Sequence, residues 1–237
     1  MKKYLKILLN EKVIKSLLIS YTAYCAFTIG VSWDELYYHE IGKINLKYLL
    51  SFGQIEETFI YKYRFSTIYW SLSSLITQIF PKDFNLEIFH LINSFFGLMT
   101  IVGLYRLNKI LFNKSVAKIS SIFLFFTPFF FGHIAINNKD IILAFSHIWI
   151  IYYLYKYTFF NFDLKRKLTL ILKISLLSAL GTGIQLLFIG SLLPVICIFL
   201  TIIFLFKKKS FKIICFDFII FFYNFLFYSY SILGRYT

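Results

Sequence analysis

Trp33, Asp34 and Glu35 stand side by side where the first apolar stretch of the chain ends. Charge is costly beside lipid, and a carboxylate pair has no anchoring role at such a point. Asp34 there can act as a general base, taking a proton from a hydroxyl as that hydroxyl attacks. Glu35 would then orient it or bind a metal. The plainer role is a pair of solvated loop acids, or a cap for a following helix. A third acid, Asp140, ends the segment GHIAINNKD (132–140). Asn137, Asn138 and Asp140 are all good N-cap residues, yet Asp140, with Asn137 and Lys139 beside it, could also take a divalent cation or a sugar's hydroxyls. Positive charge is at hand in Lys62, Arg64, His133 and Lys139. A phosphate leaving group needs such charge, and arginine supplies it as a bidentate fork. Arg64 is the preferred contact because Tyr61, Tyr63, Phe65, Tyr69 and Trp70 surround it. Snorkelling to the interface is the ordinary alternative for these cations.

The elements that must position these groups are apolar. Hydrophobic residues make up 59% of the 237, aromatics 22% and charged residues 15%. Several segments approach the roughly 20 apolar residues that cross a bilayer. The expected class is an all-α integral membrane protein. Its net charge of +14 does not imply nucleic acid, because the cations gather in short segments between apolar stretches, as cytoplasmic loops do. Cys25, Cys197 and Cys215 lie in apolar surroundings without paired spacing, so neither a disulfide framework nor a metal site is expected. His39, His90 and His147 read as structural, since no spacing such as H-E-x-x-H supports a metal.

Apolar runs give about seven transmembrane helices, near 16–31, 86–105, 117–131, 141–157, two within 168–206, and 211–230. Gly181 and Gly183 are the expected break in the long fifth run, and Thr127-Pro128 a kink in the third span. Lys2, Lys3, Lys6, Lys12 and Lys15 put the N-terminus in the cytoplasm, as a retained signal anchor. Segment 32–82 then forms an outer, catalytic loop and 132–140 a second outer loop, all within a single module over 1–237. The first loop carries two amphipathic interfacial helices. One is marked by Leu46, Leu49 and Leu50, stopped by Gly53. The other spans 66–80, with Ile68, Leu72, Leu75, Ile76 and Ile79 as its stripe. At about 22 Å the second is too short for a core of about 30 Å. Of the 25 Lys and Arg residues, 18 fall inside on this topology. Eight of the 11 acids (Asp34, Glu35, Glu40, Glu56, Glu57, Asp83, Glu87 and Asp140) fall in the outer loops or at their borders. The positive-inside rule does not require that acidic bias, so catalysis or polar ligand binding is its natural cause.

Four segments, SWDELYYHE, KYRFSTIYW, FFGHIAINNKDIILAF and LGTGIQLLF, occur in an order that resembles the GT-C superfamily of polytopic glycosyltransferases. The likeness is to protein O-mannosyltransferase-like and aminoarabinose-transferase-like members. Asn-Asn-Lys-Asp stands where relatives often carry a Pro before the Lys. The resemblance implies transfer of a sugar from a polyprenyl-phosphate donor to an acceptor on the non-cytoplasmic face, with inversion. It implies Asp34 as the base, Asp140 as the second-loop acid, and Arg64 as a donor-phosphate contact. Such enzymes usually continue through several more spans. The chain is therefore expected to match their N-terminal part, with a second membrane chain as one way to supply the rest. The Phe, Ile, Lys and Asn bias suggests a low-GC organism, so the expected residence is a bacterial inner membrane, with the active loop periplasmic. Two rival readings are non-catalytic: a transporter or flippase subunit, and an inactive or split-enzyme partner. Sugar and acceptor are not specified by the sequence.

Overall fold

The computed structural model describes residues 11–52, 68–207, 220 and 223–224. Every regular element among them is helical. In chain order they are α1 (Glu11–Thr28), α2 (Glu35–Leu50), α3 (Ile68–Thr77), a 3-10 turn (Lys82–Phe84), α4 (Asn85–Leu111), α5 (Lys114–Phe126), α6 (Pro128–His133), α7 (Asp140–Phe159), α8 (Leu164–Ile184) and α9 (Phe188–Lys207). Lys62, Arg64 and the expected seventh span lie outside the described residues, save three positions of that span.

α4 is the central helix: α1, α3, α5 and α7 all pack on it, and α7 in turn carries α8 and α9. Its buried positions include Gly97, Thr100 and Gly103, small residues of the kind that let helix backbones approach closely inside a membrane. A Cβ at Gly103 would lie 2.9 Å from Ile148 and 3.0 Å from the Trp149 indole nitrogen. That indole donates to the Met99 carbonyl at 3.0 Å, locking α7 to α4. With its preceding turn, α4 is long and apolar enough to cross a membrane, and so is α8; the apolar 188–203 part of α9 is shorter. Large apolar side chains cover the outside of α1 and α5, among them Leu17, Ile19, Ile119 and Phe123. That surface suits lipid.

α3 is where the medium matters most. Its polar residues Ser71, Ser73, Ser74 and Thr77 are buried, while Ile68, Leu72, Leu75 and Ile76 point outward. The expected stripe is present, and it faces away from the protein. In lipid this is the favourable orientation, because hydrocarbon outside solvates the apolar face and small polar residues pack inside.

α2 differs from expectation in length and face. It starts at Glu35 and docks through Glu35, His39, Gly42 and Leu46, leaving Leu49 and Leu50 exposed. The chosen face is the one containing Gly42, where a Cβ would run into the Trp70 carbonyl and the Ser74 hydroxyl of α3. Gly42→Ala is therefore expected to push α2 from α3 and cost roughly 1–3 kcal/mol, seen as a lower unfolding midpoint in detergent.

Two breaks also differ. Thr127 takes an extended conformation (ψ 117°) ahead of Pro128. This ends α5 outright and lets the proline open α6, so the kink is a helix boundary. Gly181 and Gly183 do not break the 168–206 run; both lie buried within α8, and the turn comes after Ile184. The reason is packing. The Phe188 ring lies against Gly181, where a Cβ would collide with it.

Candidate active site

Asp34 and Glu35 part company at the start of α2. Asp34 occupies the N-cap position but makes no side-chain cap, and its carboxylate is exposed. Trp33 beside it is 99% exposed. Glu35 is completely buried. Successive residues on a helix point about 100° apart, so one acid faces the medium and the other the protein.

Glu35 meets His90 of α4, equally buried. Glu35 Oε1 and His90 Nε2 are 2.6 Å apart, an ion-pair distance although off the line of a well-formed hydrogen bond. Glu35 Oε2 accepts the Ser32 N–H at 3.1 Å. His90 Nδ1 lies 3.0 Å from the Ala26 carbonyl. A carbonyl only accepts, so Nδ1 carries a hydrogen and Nε2 faces the carboxyl group. Glu35 thus links the end of α1, the start of α2 and α4. It is not turned toward Asp34.

A second set of buried bonds holds α3 and the loop 134–139 to α4. Asn93 donates through Nδ2 to the carbonyls of Ile134 and Ala135, both at 3.1 Å, and accepts the Tyr69 hydroxyl at 3.0 Å. Asn138 accepts the Trp70 indole N–H at 3.3 Å. Its own Nδ2 has no partner among the described residues, which leaves a donor for a water or a ligand hydroxyl. Gly97 admits the Ile134 side chain, which would collide with a Cβ there.

Asp140 begins α7 with an exposed carboxylate. The capping work is done by Asn137, whose Oδ1 accepts the N–H groups of Asp140 at 2.9 Å and Lys139 at 3.3 Å. Asn137 Nδ2 also donates to Asp140 Oδ2 at 2.9 Å. Asp140 is therefore oriented by the cap instead of serving as one. Lys139, half-buried, precedes it.

Tyr38 joins the two loops. Its ring stacks on Trp70 with centroids 4.4 Å apart. Burial raises the Tyr38 phenol above its ordinary range, and the charges of Asp34 and Asp140, with Tyr37, push the same way. Both exposed carboxylates are thus within electrostatic reach of one phenol. Burial also holds the neighbouring His39 below the usual imidazole range, as does Lys43. Among the described residues no three His, Cys, Asp or Glu gather as metal donors.

The sequence reading named Asp34 and Asp140 and took His90 as structural. It missed Tyr38 and Asn93. Asn93 had a signal, an amide midway along an apolar run; Tyr38 had none beyond its place in an aromatic loop.

A family model described as dolichyl-phosphate-mannose-protein mannosyltransferase matches residues 67–228. The match takes in α3 to α9, with Asn93, Asn137 and Asp140; Asp34 and Glu35 lie ahead of it. No curated protein and no solved structure matches. With its apolar helices, matched across more than half its length, the chain belongs to the dolichyl-phosphate-mannose-protein mannosyltransferase family, membrane glycosyltransferases of the GT-C type.

Proposed function

We propose that the chain transfers a sugar from a polyprenyl-phosphate donor to a hydroxyl acceptor on the non-cytoplasmic face of the membrane, with inversion and with Asp34 as general base. The observation that carries this reading is the pairing of exposed Asp34 and exposed Asp140 around Tyr38, on a base of fully buried polar contacts. Catalysis needs a carboxylate that reaches solvent-borne substrate yet is fixed by its surroundings. Asp34 meets the first condition directly and the second through Glu35, the next residue. Asp140, oriented by Asn137, suits the sugar's hydroxyls. Lys62 and Arg64 are the proposed clamp on the donor phosphate, and Lys139 a neighbouring cation. Glu35 serves as the positioning residue of the pair.

The donor's lipid tail lies in the bilayer while its phosphate sits at the surface. The outward apolar stripe of α3 offers such a tail a flank close to Tyr38 and Trp70. The test is donor turnover in proteoliposomes. Polyprenyl-phosphate-linked mannose should lose its sugar in the presence of the protein. Transport or retention of an intact donor would instead point to a flippase or a non-catalytic subunit.

A further inference from the structure

A cluster that the proposed reaction does not use runs from the middle of α7 to its end, against the last turns of α4 and the middle of α8. On α7, Trp149, Tyr152, Tyr153 and Lys156 follow at i, i+3, i+4 and i+7, one face of the helix. The three rings pack on one another with centroids 5.3 to 5.6 Å apart. Three cations from three helices lie over this surface. Arg106 of α4 stands 5.3 Å from the centre of Trp149. Lys156 stands 5.4 Å from Tyr152 and 5.7 Å from Phe162. Lys173 of α8 stands 5.3 Å from Tyr153.

Lys173 is the tenth residue of α8, about 14 Å along its axis. None of the three cations has a carboxylate partner among the described residues. Three like charges on neighbouring rings repel one another, and a ring face offsets only part of that cost. An anion among them removes the repulsion. Long cationic stems reach from such positions toward the headgroups, where the available anion is a lipid phosphate, and basic pockets between membrane helices bind such headgroups.

We propose that Arg106, Lys156 and Lys173 form a binding site for the phosphate of an anionic phospholipid, seated on the Trp149–Tyr152–Tyr153 face in the leaflet opposite Asp34 and Asp140. That leaflet is the cytoplasmic one on the topology above. The arginine fork takes two phosphate oxygens, the lysines bind as point charges, and the acyl chains lie on the apolar flanks of α7 and α8.

The protein, purified in a mild detergent, would be titrated with phosphatidylglycerol and with phosphatidylcholine and followed by native mass spectrometry. Phosphatidylglycerol should bind saturably and in preference. Changing all three residues (R106Q, K156Q and K173Q) should weaken it by roughly tenfold to a hundredfold, from the loss of their direct charge-assisted contacts to the phosphate. The loop variant K165Q/R166Q/K167Q, which removes equal charge nearby, should leave binding within about twofold. Single replacements, each keeping the native circular dichroism, should each show part of the loss, so the site is tested even if the triple variant fails to fold. Equal binding of the two lipids, or equal loss in the loop variant, would overturn the proposal.

Discussion

Asp34→Asn is expected to lower sugar transfer by about 10² to 10⁴-fold, with insertion and folding unchanged. The amide is nearly the same size and keeps the acceptor oxygen but cannot take a proton from an attacking hydroxyl. The structure makes the substitution a clean one. Asp34 is exposed and makes no side-chain cap to α2, so the helix loses no bond when the charge goes. Unfolding midpoint, protease pattern and membrane extraction should match the native protein, and donor binding should fall little. Asp34→Glu tests placement: the carboxylate is retained but moved by one methylene, and an intermediate rate is expected from the lost alignment. Normal transfer by Asp34→Asn would remove Asp34 as the base and leave Asp140 as the carboxylate to examine.

The sequence carried the class of the fold and the positions of most helices because both depend on local chemistry. Apolar runs, lysine clusters and the Thr-Pro step act over short distances. What it could not carry was the direction each amphipathic face takes. The stripe on α3 was legible as a pattern, but a period of 3.6 residues does not say whether lipid or protein lies on the apolar side. Burial of Ser71, Ser74 and Thr77 answers that, and the answer depends on Gly42 accepting the α3 backbone from another helix. Gly181 was misread for the same reason. A glycine in an apolar run signals either a break or a close approach, and only Phe188, seven residues on, decides between them. The split of Asp34 from Glu35 was hidden too. Adjacent acids look alike in sequence, whereas the start of a helix at Glu35 sends them to different sides. The residue that Glu35 meets, His90, is 55 positions away.

Glu35 and His90 should prove to be the pair on which the placement of Asp34 depends. Both side chains are fully buried and their facing atoms are 2.6 Å apart. Removing either partner alone, as in Glu35→Ala or His90→Ala, leaves a polar group in the core with nothing opposite it. The expected cost is about 3–5 kcal/mol, a large share of the roughly 5–15 kcal/mol that holds a typical domain together. The Ser32 N–H would lose its acceptor with Glu35, and the Ala26 carbonyl its donor with His90. Both losses loosen the turn that carries Asp34. Replacing the pair together by apolar side chains of similar volume should recover much of the stability, and a double-mutant cycle would give the coupling directly. Glu35→Gln separates this role from chemistry. The amide oxygen can still accept from Ser32, and the amide N–H can donate to a neutral His90 Nε2. A purely positioning Glu35 therefore predicts that Glu35→Gln folds and retains transfer within about tenfold, while Glu35→Ala loses both. If Glu35→Gln instead folds normally and is as inactive as Asp34→Asn, the carboxylate itself takes part in the reaction. In that case Glu35, though turned inward, would have to be counted among the acids that move the proton or bind the substrate.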